Sequence, residues 1–171
     1  MAETKYGKYF IEYDSSRWPM ERRPVMARME NSVIEGSHFY LIHWMMPDFA
    51  APLGDESFGG HPPHIHKDAE LLFHIGTDPA NPMDLGAEVE MYMGPELERH
   101  VINRTCCIYI PPNFIHAPWR PIKTTRPWIF MEVNQGPDHT EKSYRQLLPK
   151  EVRAKTDWSK MWQDEGYEPP D

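Results

Sequence analysis

The stretch His64-Ile65-His66-Lys67-Asp68-Ala69-Glu70-Leu71-Leu72-Phe73-His74-Ile75-Gly76 decides how this chain is read. Residues two apart on a strand share one face and lie roughly 6.6 Å apart. The His64 and His66 imidazoles can therefore converge on one ion. A short turn follows, and Glu70 enters the next strand facing the same interior. Two nitrogens and a carboxylate oxygen suit Fe, Mn, Ni, Co, Cu or Zn. A fourth donor is offered further on. The proline/asparagine turn Pro111-Pro112-Asn113 starts a strand that brings in His116.

Around this stretch the pattern is strand after strand. Residues 37–46 are aromatic and β-prone. Residues 47–63 form a loop punctuated by proline and glycine. Strands follow at 64–66 and 70–75, then at 87–93, where charged and apolar residues alternate as on a half-buried strand. Four more cover 97–102, 106–110, 114–118 and 126–133. Short strands with frequent turns predict an all-β sandwich or barrel. Residues 1–36 read as an N-terminal arm, 37–134 as the barrel core, and 135–171 as a tail with one or two short helices, all in a single domain, 1–171.

The bulk composition agrees. The 171 residues include 18 prolines, which disfavour long helices and central strands. The net charge of −8, with no basic run, argues against nucleic-acid binding. No apolar stretch approaches the ~20 residues of a membrane span, and MAETKYGKYF has no apolar core suited to a signal peptide. A cytoplasmic protein is expected. Cys106 and Cys107 are adjacent and point to opposite faces of a strand, so they read as strand residues and not as a disulfide.

The two-part pattern resembles the cupins. Their first motif joins His-x-His to a glutamate three or four residues on and then to a glycine, as in His64, His66, Glu70 and Gly76. Their second motif carries a proline, a turn glycine and a histidine, matched by Pro111, Asn113 and His116. Asn113 replaces the glycine, and Asn tolerates positive φ better than most residues. Thr105 and Arg120 stand where the motif has glycine and asparagine. The resemblance implies an antiparallel, jelly-roll-like barrel holding one divalent metal ion inside. The ligands would be His64, His66, Glu70 and His116, with the metal (Fe, Mn, Ni or Zn) left open.

Other residues are candidates for roles beside that site. Glu70 is a ligand that could also accept a proton. His61, at the barrel mouth, could approach a substrate. Tyr40 shares a face with Ile42 and Trp44, opposite Phe39, Leu41, His43 and Met45; if its face is inward, it could donate to a bound oxyanion. His74 reads as a buried, hydrogen-bonded histidine or a proton shuttle. Arg120 and Arg126 could anchor a carboxylate, and Glu132 reads as an outer-face acid.

Two functions follow. One is a metal-dependent enzyme acting on a small oxygenated organic molecule, by oxidative (dioxygenase-type), decarboxylase, isomerase or lyase chemistry. The other is a non-catalytic small-molecule-binding module, favoured if bulky side chains fill the pocket. The aromatic surface of Trp18, Trp158 and Trp162 leads to the expectation of a homodimer.

Overall fold

The computed structural model describes residues 4–13, 24–47, 61–161 and 163–167. Among the described residues ten strands are formed: β1 (Val25–Met29), β2 (Phe39–Met45), β3 (His64–Ile65), β4 (Glu70–Gly76), β5 (Asp84–Met93), β6 (Glu98–Arg104), β7 (Cys106–Ile110), β8 (His116–Thr124), β9 (Trp128–Asn134) and β10 (Lys142–Ser143). They make two five-stranded antiparallel sheets. One has the order β1-β2-β9-β4-β7 and the other β10-β3-β8-β5-β6. The order interleaves strands distant in sequence, as a jelly roll does. Among the described residues no ladder joins the two sheets, so the barrel is open along its edges.

The strand register explains how the first sheet presents its inner face. Phe39, Asn134, Glu70 and Ile110 lie in one row across β2, β9, β4 and β7. The next rows are Leu41-Glu132-Leu72-Ile108 and His43-Phe130-His74-Cys106. Period-2 alternation then makes each of these strands half core. From the second sheet Leu85, Val89 and Met91 meet this face, and with Met45, Trp128 and Phe130 they form the main apolar core.

Three differences from the sequence reading have local causes. The N-terminal arm contains β1, an edge strand paired to β2. β8 continues through Pro118 and Pro121 to Thr124, and its ladder with β5 shifts register twice. A strand with two residues that cannot donate ladder bonds needs such irregularities. The C-terminal stretch begins with β10, which pairs Lys142 with Ile65 and Ser143 with His64. Its described residues hold a single α-helix, α1 (Lys150–Lys155), and 3-10 turns at Arg145–Leu147 and Trp158–Lys160. The Trp158 ring lies beneath the Arg145 guanidinium, 5.0 Å away. Trp18 and Trp162 fall outside the described residues. No described helix is long and apolar enough to cross a membrane.

Candidate metal centre

His64 begins β3, His66 follows it, Glu70 begins β4 and His116 begins β8. The turn at Pro111-Pro112-Asn113 ties these elements together. Asn113 has φ 59°, the conformation for which it stands in for glycine, and its N–H donates to the His66 carbonyl at 2.8 Å. His64 and His116 are cross-strand partners, with ring centroids 4.2 Å apart. The ligating atoms of His64, His66 and His116 all lie within 4.8 Å of one another. All four side chains are buried.

The backbone sets the tautomer of each imidazole. Nδ1 of His64 donates to the Pro62 carbonyl at 2.7 Å, Nδ1 of His66 to the Thr140 carbonyl, and Nδ1 of His116 to the Phe114 carbonyl at 3.0 Å. A carbonyl can only accept, so each Nδ1 carries the proton. The Nε2 atoms are left for the shared centre. His66 Nε2 lies 3.5 Å from Glu70 Oε1, and His116 Nε2 lies 3.2 Å from Glu70 Oε2. Among the described residues His66 Nε2 and Glu70 Oε2 are buried polar atoms with no hydrogen-bond partner.

The electrostatics point the same way. Burial, then the neighbouring imidazoles of His116, His66 and His61, hold His64 well below the usual histidine range. Burial also lowers His66, against the opposing pull of Glu70. Burial alone would raise the Glu70 carboxyl, but positive charge on the side that faces His66 and His116 outweighs it and brings it down to about 2. Imidazole lone pairs turned toward a buried carboxylate repel it unless positive charge sits between them. With protonation of His64 and His66 disfavoured, a cation satisfies that arrangement. Three nitrogens and a carboxylate oxygen fit a divalent transition metal.

The structure also brings in residues that the sequence reading missed. Asn134, on the same row as Glu70, donates Nδ2 to Glu70 Oε1 at 3.0 Å. His139 and Thr140, assigned to the tail, form part of the wall. The His139 ring lies 5.2 Å from that of His66, and Glu141 is fully buried with Oε2 3.1 Å from Nδ1 of His61 and Oε1 3.8 Å from Nδ1 of His64. His43, on the inner face of β2, is also buried and stacks on Phe130. Period 2 running from Phe130 through Glu132 would have flagged Asn134. The polar run His139-Thr140-Glu141 was the only signal for the strap.

The other candidates are placed as follows. His61 lines the cavity next to His64, at 5.6 Å between ring centroids. Tyr40 does not face the cavity: Phe39, Leu41, His43 and Met45 take the inner side of β2, and Tyr40 points outward against His38. Its role as a donor to a bound oxyanion is therefore withdrawn. Glu132 is on the inner face, not the outer one, and lies 3.8 Å from His139 Nε2. His74 is fully buried and accepts from Trp119 Nε1 at 2.9 Å, as a structural histidine does. Arg120 is bound on the outer face to Glu90, and Arg126 to Asp84, so neither reaches the cavity. Met91 lines it.

No family model matches the sequence, and no curated protein matches it. Among solved structures the chain is similar to Fe(II) HppE, at 16% identity and TM-score 0.38 over 66% of this chain and 48% of that one. It is also similar to the oxalate decarboxylase of Lactobacillus farciminis in its formate complex, at 14% identity and TM-score 0.47 over 86% of this chain and 38% of that one. A third is an uncharacterised Klebsiella pneumoniae protein with a double-stranded beta-helix domain, at 12% identity and TM-score 0.39 over 70% of this chain and 80% of that one. The chain thus spans less than half of the first two.

Proposed function

We propose that this protein is a metal-dependent enzyme of cupin-like architecture that acts on a small oxygenated organic molecule at a centre held by His64, His66, His116 and Glu70. The observation that carries this reading is the set of three imidazoles whose Nδ1 protons are tied to backbone carbonyls and whose ligating atoms converge within 4.8 Å beside two buried, unpartnered atoms, His66 Nε2 and Glu70 Oε2. A barrel that served only as scaffold has no physical need for such a set.

A divalent ion held there would supply Lewis acidity toward an oxygen of the bound molecule. The chain's own residues do the rest. The carbonyls of Pro62, Thr140 and Phe114 orient the imidazoles, and Asn134 orients Glu70. The cavity over the cluster has a volume of about 840 Å³, within the range of ligand sites. Its apolar side, including Leu72, Met91 and Phe130, excludes water and strengthens electrostatic interactions inside. Glu141 accepts from Nδ1 of His61 and so fixes how that ring is presented to the cavity. Oxidative and lyase or decarboxylase chemistry are both compatible with these parts.

The test is elemental analysis of the purified protein beside a His64→Ala/His116→Ala double variant, with folding checked by circular dichroism. Near-stoichiometric metal in the parent and its loss in a folded variant is the expected result. Iron would favour oxygen chemistry, and manganese, nickel or zinc would favour lyase or decarboxylase chemistry. A parent that stays empty after reconstitution with each metal overturns the reading in favour of a metal-free binding module.

A further inference from the structure

The cavity above the metal centre has two chemically different parts. Its inner wall is apolar: Leu41 and Leu72 from one sheet face Met91 and Trp119 from the other, and Phe130 lies against Trp119 with ring centroids 4.7 Å apart. At about 840 Å³ the space is far larger than a two-carbon diacid needs. The remainder is acidic. Besides Glu70, the lining carries five carboxylates, Glu30, Asp68, Glu132, Asp138 and Glu165, against two cations, Arg28 and Lys67.

Both cations already have partners. Arg28 pairs with Glu30 at 3.1 Å and lies over the Phe39 ring, and Lys67 lies over the Tyr167 ring at 5.2 Å. The arginines that could have clamped a carboxylate, Arg120 and Arg126, are bound to Glu90 and Asp84 away from the cavity. With Glu30 set against Arg28, the carboxylates of Asp68, Glu70, Glu132, Asp138 and Glu165 stand against Lys67 and the divalent ion, with His139 between Glu132 and Glu165. An incoming anion therefore meets a net negative lining, focused by low-dielectric walls. A protonated amine meets the opposite field.

On the metal reading above, we propose that this cavity takes a hydrocarbon-bodied ligand, uncharged or bearing a protonated amine, that offers neighbouring oxygens to the centre. Small dicarboxylates are turned away. The apolar wall recognises the body and the acidic lining selects the charge. Exclusion of anions is built from repulsion as much as from fit, as specificity often is.

The experiment is calorimetric titration of the zinc-loaded full-length protein with four probes. Methylcatechol, dopamine and protocatechuate share one chelating head and differ in the charge of the side group, and oxalate is the small diacid. Methylcatechol and dopamine are expected to bind at least tenfold more tightly than protocatechuate and oxalate. The advantage of dopamine over methylcatechol should shrink as salt rises from about 0.05 M to about 0.5 M, because screening weakens the acidic lining. It should also shrink in Glu132→Gln. Oxalate or protocatechuate binding as tightly as methylcatechol overturns the proposal. So does retained zinc with no catechol binding, which leaves the metal reading standing. A protein that holds no zinc overturns the metal reading and this proposal with it.

Discussion

Asn134 donates its side-chain amide to Glu70 across adjacent strands, Nδ2 to Oε1 at 3.0 Å, and both residues are buried. The bond fixes one carboxylate oxygen and turns the other, Oε2, toward His116. Partners of metal ligands typically matter 10- to 100-fold in affinity. Asn134→Leu is expected to weaken metal binding by roughly tenfold, measured by competition with a chromophoric chelator. Equal affinity in a folded variant would show that Glu70 needs no orienting partner.

The buried Glu141 carboxylate supports His61 and lies beside His64. Its backbone is held separately, by two hydrogen bonds to Glu165 of 2.9 and 2.8 Å. The strap should therefore stay in place when the side chain is cut. Glu141→Ala leaves the half-exposed His61 Nδ1 without this acceptor, at a cost of about 0.5–1.5 kcal/mol in denaturant unfolding. An unchanged midpoint would mean that water replaces the carboxylate without loss.

Burial lowers His74 from the ordinary 6.5 to about 4. The unfolded chain takes up a proton there near pH 6.5, and the folded chain only near pH 4. Falling pH thus favours unfolding. Stability held above pH 6.5 declines through that window, by about 3 kcal/mol for this one group. His64 and His66 shift in the same direction. The denaturant midpoint of metal-free protein should fall between pH 7 and pH 5, and His74→Gln should flatten the profile. A midpoint that rises as the solution is acidified would contradict this.

Gly76 ends β4 where the chain passes close to β5. A Cβ there would lie 2.2 Å from the Asp84 carbonyl oxygen, which is backbone and cannot swing aside. Gly76→Ala should cost about 1–3 kcal/mol through the shift it forces. Thermal unfolding would reveal it, and a melting temperature within a degree of the parent would show that β5 yields freely.

Much of this was legible in the chain. His-x-His followed by Glu70 needs only period 2 and one turn to converge, and Asn113 announced the positive-φ turn before His116. Short strands punctuated by proline indicated an all-β protein. These are local properties, set by alternation and by backbone preferences within a few residues. What the strands do to each other is not local. The outward turn of Tyr40, the inward turn of Glu132 and the burial of His43 follow from which side of each strand meets the opposite sheet, and alternation alone leaves both choices open. The ion pairs of Arg120 and Arg126 depend on Glu90 and Asp84, 30 and 42 positions away. The strap at 139–141 depends on β10 pairing with β3. The sequence by itself indicated the fold class and singled out His64, His66, Glu70 and His116 as candidate donors. The tertiary structure decided which carboxylates, imidazoles and apolar side chains surround them, because those neighbours arrive from strands brought together only by the packing of two sheets.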